Sequence, residues 1–294
     1  SLTLALEVPA SKSSFSGGHR ENLGILPSTM SCADVAQKPG GDLPEYVEVS
    51  DEPSHHTIFK NEYCIAIRVQ FEKGHSTLFH RHSQDSLFVF LANISIHNNP
   101  THRPAWDDSI QYGGAVFARH GVKPIIHQIT ALTGDMHCLD IEILKPPPED
   151  CKPAGPLTPE QAPGHVLEIN KDRMRTYRVK AEKGGHVAAT YGFCGLVIFL
   201  KGAKVKLWSS RSDGLVGEAL DKCLKRKDTE NGKEEGSEAQ KGICLNAGEG
   251  VPLKILGGDI LWLQGPQSIR ITDMSEGGET GEGGLEILIA EWCC

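Results

Sequence analysis

The sequence predicts an all-β protein built from two similar domains, and three observations carry this prediction. Short runs of β-branched and aromatic residues recur along the chain, separated by turns to which 32 Gly and 17 Pro among the 294 residues contribute. Runs of this kind indicate the strands of a sandwich or barrel. Helical periodicity is scarce, and its best example is confined to residues 217–227. The third observation is an internal repeat.

The repeat relates the two halves of the chain in three places. RVQFEKG at residues 68–74 returns as RVKAEKG at residues 178–184, with five identities in seven. FVFL at residues 88–91 pairs with VIFL at residues 197–200, and GGAVF at residues 113–117 pairs with GGDIL at residues 257–261. The offset rises from 109 to 144 between the second and third matches. This increase of 35 residues is about the length of a charged segment in the second half. Two copies of one β-domain, the second with an inserted loop, account for all three matches.

The repeat and the composition together predict the domain organisation. Residues 1–45 form an N-terminal arm, residues 46–147 a first barrel, the Pro-rich residues 148–164 a linker and residues 165–294 a second barrel. Residues 211–245 interrupt the second barrel with many charges and few large apolar side chains. Because such a composition buries too little surface to fold tightly, we expect a solvated, disordered insertion there.

Composition and charge exclude several classes of function. With 30 Lys and Arg against 38 Asp and Glu, the formal charge is −8, which disfavours a general electrostatic grip on nucleic acid or an anionic membrane. No apolar run approaches the roughly 18 residues of a membrane span, so we expect a soluble chain. The nine cysteines include no C-x-x-C pair. They predict reduced thiols in an intracellular compartment, either cytoplasmic or organellar, plastids included.

The strongest functional pattern is a pair of histidines in the first barrel. GHSTLFHRH at residues 74–82 places His80 and His82 two positions apart at the start of a predicted strand. Because residues i and i+2 project to the same face of a strand, both imidazoles can point into the barrel and bind one divalent metal. His127, in a strand-like stretch shortly before the strand at residues 139–144, is the best-placed third ligand. Imidazole ligands suit Fe, Ni, Cu or Zn better than Mg or Ca.

With these residues the sequence resembles the cupin superfamily of RmlC-like jelly rolls. Gly74, His80 and His82 match the family's first motif, G-x5-H-x-H-x3,4-E-x6-G, and His127 is similar to the histidine of its second, G-x5-P-x-G-x2-H-x3-N. The resemblance implies a bicupin, with two double-stranded β-helix barrels and a metal site formed by the three histidines. The motif's glutamate falls on residue 86 or 87, neither of which is a carboxylate. Asp85 is therefore the nearby candidate for a fourth ligand.

Further candidate residues follow from the same alignment. His120 takes the place of the proline in the second motif, and it can reach the barrel mouth to contact substrate or shuttle a proton. In the second barrel, residues 189–192 align with the H-x-H segment and Arg270 aligns with His127, so no metal triad is expected there. Arg270 is instead a candidate for binding a substrate carboxylate. His55 and His56 precede the first predicted strand, and we expect both to be solvated.

The resemblance implies a metal-dependent enzyme that acts on a small molecule. Three-histidine sites without the glutamate resemble those of cupin dioxygenases, which favours a non-haem oxidoreductase with Fe(II); Ni, Cu, Zn and Mn are the alternative metals. A lyase or isomerase using the same metal is a second interpretation. A third is a non-catalytic bicupin that binds or assembles with other proteins and keeps a structural metal or a vacant pocket. A monomer and a homodimer are both compatible with two barrels in one chain.

Overall fold

The computed structural model describes residues 43–151, 153–211, 215–216, 250–275 and 284–293, all of which belong to one compact unit. The predicted arm lies outside the described residues apart from its last three positions, and so does nearly all of the predicted insertion at residues 211–245. Among the described residues, no helix is long and apolar enough to cross a membrane.

Strands dominate the described part of the chain, and the all-β prediction is confirmed. The strands of the first half are β1 (Val47–Glu48), β2 (His55–Lys60), β3 (Cys64–Phe71), β4 (His80–His82), β5 (Asp85–Phe90), β6 (Ile94–Pro100), β7 (Trp106–Ile110), β8 (Ala115–Ala118), β9 (Ile125–Ala131) and β10 (Met136–Ile143). Those of the second half are β11 (His165–Asn170), β12 (Met174–Ala181), β13 (His186–Tyr191), β14 (Gly195–Phe199), β15 (Ala203–Ser209), β16 (Leu215–Val216), β17 (Val251–Ile255), β18 (Ile260–Leu263), β19 (Gln267–Asp273) and β20 (Leu285–Trp292). Two short 3₁₀ turns cover Val49–Asp51 and Glu149–Cys151.

Each half consists of two sheets, and the two halves share their strand order. The first half has the orders β1-β4-β9-β6-β7 and β2-β3-β10-β5-β8. The second half has β13-β19-β15-β17 and β11-β12-β20-β14-β18-β16. Strands matched in the sequence repeat occupy the same places, since β3 corresponds to β12, β5 to β14 and β8 to β18. Each half is therefore a double-sheet jelly roll. The repeat predicts two copies of one β-domain, and the resemblance described above implies this architecture for each.

The alternation of β3 shows how one strand serves two cores. Ile67 and Val69 face the interior of the first half, where they pack with residues such as Ile94 and Met136. The alternate side chains, of which Ala66 is fully buried, face the second half instead. Because side chains of a strand alternate between its faces, a strand buried on both sides is apolar at nearly every position.

A shared apolar core joins the two halves. Leu139, Ile141 and Ile143 of β10 lie in one buried cluster with Trp262 and Trp292 of the second half. Polar contacts repeat across this boundary, because equivalent arginines reach equivalent glycine turns. Arg68 donates to the carbonyl oxygen of Gly258 at 3.2 Å, and Arg178 donates to that of Gly113 at 2.5 Å. Together these contacts fix how the jelly rolls pack.

The Pro-rich stretch predicted to be a linker is packed against the rest of the molecule. It connects β10 to β11, and Cys151 and Ala162 within it are each only 1% exposed. Cys151 also donates from its thiol to the carbonyl oxygen of Gly265 at 2.9 Å. The segment thus contributes to the fold as well as connecting its halves.

The interiors of the two halves differ in a way that positions the candidate site. Large side chains fill the second interior, among them Tyr177, Tyr191 and Phe199, each at most 1% exposed. The first interior contains a cavity of about 140 Å³ whose wall includes His80, His82 and His127.

Candidate metal centre

Three histidines converge on the wall of the cavity because of how β4 pairs with β9. His80 and His127 are direct partners in this antiparallel ladder, and His82 lies two residues farther along β4. Residues at these places share the inward face of the sheet. One nitrogen from each ring lies within 4.8 Å of one from each of the others. All three side chains are buried, at 1%, 1% and 8% exposure for His80, His82 and His127. We call this group the histidine triad.

Hydrogen bonds orient two rings of the triad so that the Nε2 atoms remain free. His80 donates from Nδ1 to the carbonyl oxygen of Leu78 at 2.9 Å, and His127 donates from Nδ1 to Asn98 Oδ1 at 3.1 Å. His127 Nε2 is buried and has no hydrogen-bond partner. Metal-binding histidines characteristically donate their other ring N–H to an acceptor of this kind. A metal ion would supply the partner that this Nε2 atom lacks, and the residues present fit such an ion.

Burial favours the neutral form of His80 and of His127. It lowers the pKa of His80 to about 3, with the neighbouring His82 and His55 adding to the effect. It also holds the pKa of His127 well below its ordinary value, again helped by His82 and His80. Because only a neutral imidazole offers a lone pair, both groups are ready to bind a cation at neutral pH.

The rest of the cavity wall is mostly apolar. Besides the triad, its lining consists of His55, Val69, Phe71, Thr77, Phe88, Phe90, Ile96, Asn98, Ile129, Met136 and Cys138. No Lys, Arg, Asp or Glu belongs to this described lining. A pocket of this chemistry favours a small ligand without a strong charge.

His55 lines the cavity, although the sequence predicted a solvated position. Its Nδ1 lies 2.6 Å from Glu52 Oε2, and its ring lies 4.8 Å from that of His80. His56, next along β2, is exposed as predicted. The available signal in the sequence was Glu52, three residues before His55. It indicates a buried pair only once the structure shows that Glu52 directly follows the 3₁₀ turn at Val49–Asp51 and contacts the His55 ring.

Asp85 does not join the triad, and its predicted role as a fourth ligand is corrected. Its side chain is fully buried, and both carboxylate oxygens are engaged. Oδ1 accepts from the backbone N–H of Gly121 at 2.9 Å, and Oδ2 accepts from Arg173 Nη1 at 2.7 Å. Because Arg173 belongs to the second half, this carboxylate ties the two halves together.

His120 lies beside the triad in the turn before β9. Its ring centroid is 5.3 Å from that of His82, and the side chain is half-buried. Burial lowers the pKa of His120 to about 4, with a further contribution from His82. The ring is not part of the described cavity lining, so the predicted contact with substrate stays a prediction.

Arg270 is one position out of register with the triad, and its predicted role in binding a substrate carboxylate stays a prediction. In β13 and β19 the pair equivalent to His80 and His127 is Ala189 and Ile269. Arg270 therefore projects to the opposite, exposed face of β19, while Ile269 is 1% exposed inside. A carboxylate bound by Arg270 would lie outside the second jelly roll. Neither Ala189 nor Ile269 has a side chain that could bind a metal ion.

Two buried carboxylates were missed in the sequence. Asp140 and Glu142 lie on β10, whose run of apolar residues suggested an ordinary buried strand, yet they alternate with its apolar side chains and face the first interior. They are 0% and 5% exposed, and Asp140 Oδ2 lies 3.3 Å from His82 Nδ1. Burial, together with Asp140, raises the pKa of Glu142 to about 7. The available signal in the sequence was that Asp140 and Glu142 are two residues apart, which places both side chains on one face of the strand.

Comparison with solved structures finds chains of similar fold at low sequence identity. YhhW from Escherichia coli is 13% identical with a TM-score of 0.44, and the match covers 81% of this chain and 88% of that one. The R92A mutant of Bacillus subtilis oxalate decarboxylase is 10% identical with a TM-score of 0.48, covering 84% of this chain and 76% of that one. A cupin domain from Bordetella pertussis Tohama I is 20% identical over 30% of this chain and 90% of that one, with a TM-score of 0.27. No family model and no curated protein matches the chain.

Proposed function

We propose that this chain, in which both halves have the jelly-roll fold of the cupin superfamily, is a metal-dependent enzyme that acts on a small molecule. One divalent transition metal would be held in the first half by His80, His82 and His127. The observation that carries the proposal is the convergence of three buried imidazoles on one cavity, with an unpartnered Nε2 on His127.

The proposed reaction is a dioxygenation with Fe(II) as the metal. Three neutral nitrogen ligands occupy part of the coordination sphere of such an ion and leave positions for exogenous ligands. Fe(II) in this setting supplies the redox chemistry that dioxygen activation requires. Because Asp85 is bound by Arg173 and Gly121, the set of direct ligands stays all-histidine, as in the dioxygenases that the motif resembles.

The protein's own residues would bind, orient and shield the substrate. The phenylalanines and aliphatic side chains of the lining exclude bulk water from the cavity and contact the apolar part of a ligand. Thr77, Asn98 and His55 are the polar groups outside the triad that line it. With no charged residue in the described lining, we expect a neutral or weakly polar substrate.

The second half is proposed to support the first. Ala189, Tyr191 and Ile269 stand at the positions of the triad, and its interior is filled by apolar side chains. Both groups of potential metal ligands found among the described residues lie in the first half. One metal per chain is therefore expected.

Oxygen uptake tests this proposal. Metal-free protein is reconstituted with Fe(II) in the absence of oxygen and is then mixed with an oxygenated solution of small thiols or diketones. Uptake that requires both Fe(II) and one of these substrates supports dioxygenation, and His80→Ala should abolish it. His186→Ala, at an exposed position on β13, is the matched control and should retain it. Product formation without oxygen uptake would overturn the dioxygenase assignment in favour of a lyase or isomerase.

A further inference from the structure

Two carboxylates beneath the triad lack the partners that buried charges require. Asp140 Oδ1 and Oδ2 and Glu142 Oε1 are buried and form no hydrogen bond. No Lys or Arg in the described part of the chain forms an ion pair with either group. A buried carboxylate without a partner costs several kcal/mol, so such groups normally bind a cation or a hydrogen-bond donor.

The neighbour of these carboxylates is the outward nitrogen of a triad histidine. His82 Nδ1 lies 3.3 Å from Asp140 Oδ2 without forming a hydrogen bond, whereas the other two rings of the triad already donate from Nδ1. His82, Asp140 and Glu142 also place one potential ligand atom each within 4.8 Å of one another. The carboxylates thus lie behind the His82 ring, on the side of Nδ1, while the opposite nitrogen, Nε2, is available to bind a metal ion at the triad.

The second half supplies an internal comparison. By strand register, Ile289 stands at the position of Asp140, and Glu291 at that of Glu142. Glu291 is fully satisfied, because Tyr177 donates its hydroxyl at 2.6 Å and Arg175 donates at 3.0 Å. Unpartnered carboxylates at these positions therefore occur in the half that contains the histidines.

We propose that Asp140 and Glu142 provide the negative charge that balances a divalent ion at the triad. Asp140 also positions the His82 ring by accepting a hydrogen bond from the Nδ1–H of His82. Three neutral imidazoles leave the charge of such an ion uncompensated; the ion in turn favours the ionised form of both carboxylates, whose negative charges cancel it. A cation at Nε2 also makes Nδ1–H a stronger donor, so the 3.3 Å contact with Asp140 should tighten into a charge-assisted hydrogen bond. The pair takes over the electrostatic part of the missing cupin glutamate. This inference rests on the proposed metal site.

The test compares neutral, isosteric variants with and without metal. Co²⁺ serves as the probe, and its affinity is measured by chelator competition alongside its visible absorption bands. Asp140→Asn should weaken Co²⁺ binding by about 10–100-fold and shift the bands, and Glu142→Gln should weaken it by a smaller factor. Glu291→Gln, the equivalent change in the second half, is the matched control and should leave affinity and bands unchanged.

Thermal unfolding of the metal-free proteins separates this role from a structural one. Asp140→Asn removes an unpaired buried charge, so its metal-free midpoint should equal or exceed that of the wild type even though metal binding weakens. A lowered midpoint, or a Co²⁺ affinity within twofold of the wild type, would overturn the proposal. So would a second Co²⁺ equivalent that disappears in Asp140→Asn, because the carboxylates would then be direct ligands of another ion.

Failure of this inference can be distinguished from failure of the proposed function. If the wild type binds Co²⁺, His80→Ala does not and Asp140→Asn binds as the wild type does, only the carboxylate role is wrong. If the wild type binds no Co²⁺ at all, the metal site and the inference that rests on it both fail.

Discussion

Glu52 is the residue that holds His55 against the cavity. Its Oε2 contacts His55 Nδ1 at 2.6 Å and accepts from the backbone N–H of Ser54 at 2.7 Å, and its Oε1 accepts from that of Leu78 at 3.2 Å. Burial alone would raise the pKa of Glu52, but these contacts outweigh it and lower the pKa from 4.5 to about 2. The ionised carboxylate is therefore strongly favoured in the folded protein.

Glu52→Gln should destabilise the protein in a pH-dependent way. Since the folded pKa is depressed, the carboxylate's contribution is fully present above pH 4.5 and is lost as the pH falls towards 2. We expect a loss of about 3 kcal/mol in the free energy of unfolding at pH 7, shrinking at pH 3. Urea unfolding at the two pH values measures both. Glu62→Gln, at an exposed ion pair, is the control, and equal losses at pH 7 and pH 3 would contradict the account.

At the residue scale, the sequence predicted most accurately the positions of side chains that depend on the alternation along a strand. The H-x-H spacing placed His80 and His82 on one face, and the structure brings His127 beside them through the pairing of β4 and β9. The prediction that Asp85 is a metal ligand rested on its nearness to the histidines in the sequence. That nearness does not reveal that Arg173 binds the Asp85 carboxylate instead. His55, Asp140 and Glu142 were missed because they reach the first interior from other strands.

At the element scale, β14 shows how closely central strands approach one another. A Cβ atom on Gly195 would lie 2.0 Å from the carbonyl oxygen of Ala290 on β20, a contact that real Cβ atoms do not make. The strand pair can keep its register only if this position is glycine. By contrast, a Cβ atom on Gly192, just before β14, would meet no atom within 4 Å.

Gly195→Ala should therefore disrupt the second half far more than Gly192→Ala. The clash is with backbone, which cannot move aside without breaking the β14–β20 ladder, so we expect a loss of about 3 kcal/mol or more for Gly195→Ala. Gly192→Ala should change the unfolding free energy by less than about 1 kcal/mol. Chemical denaturation of both variants checks this, and similar midpoints would show that β14 tolerates displacement.

Strand identities were predictable at this scale, but register was not. The repeated β-branched runs located β3, β5, β12 and β14, because such runs suit a pleated sheet buried on both faces. The alignment of Arg270 with His127 was wrong by one residue. A slip of one residue moves a side chain to the other face of a strand, and only the observed pairing of Ala189 with Ile269 fixes it.

At the scale of the whole molecule, the shared core makes the two halves interdependent. Trp292 is 1% exposed, and its ring packs edge-to-face against that of Trp262. The Trp262 ring in turn lies parallel to the ring of Tyr63 in the first half, with 5.7 Å between the ring centroids. The repeat predicted two copies of one domain. It did not predict which faces join, because both faces of β3 and β10 carry apolar side chains.

Trp292→Ala should lower the stability of the whole chain by about 3–5 kcal/mol, since it empties part of the core that both halves share. Unfolding of the described core should remain a single transition, because neither half keeps its buried face without the other. Calorimetry with circular dichroism checks this. Trp106→Ala, at a half-buried position on β7, is the control. Two separated transitions, with the first half unaffected, would contradict the shared-core account.

The central claim, a metal site formed by the histidine triad, is tested most directly by elemental analysis. Tag-free protein is prepared without chelators beside His82→Ala and the control His186→Ala. The account predicts about one Fe, Ni, Cu or Zn per chain in the wild type and the control, and none in His82→Ala. Protein that carries no metal and takes up none on reconstitution, or that keeps its metal in His82→Ala, would contradict it.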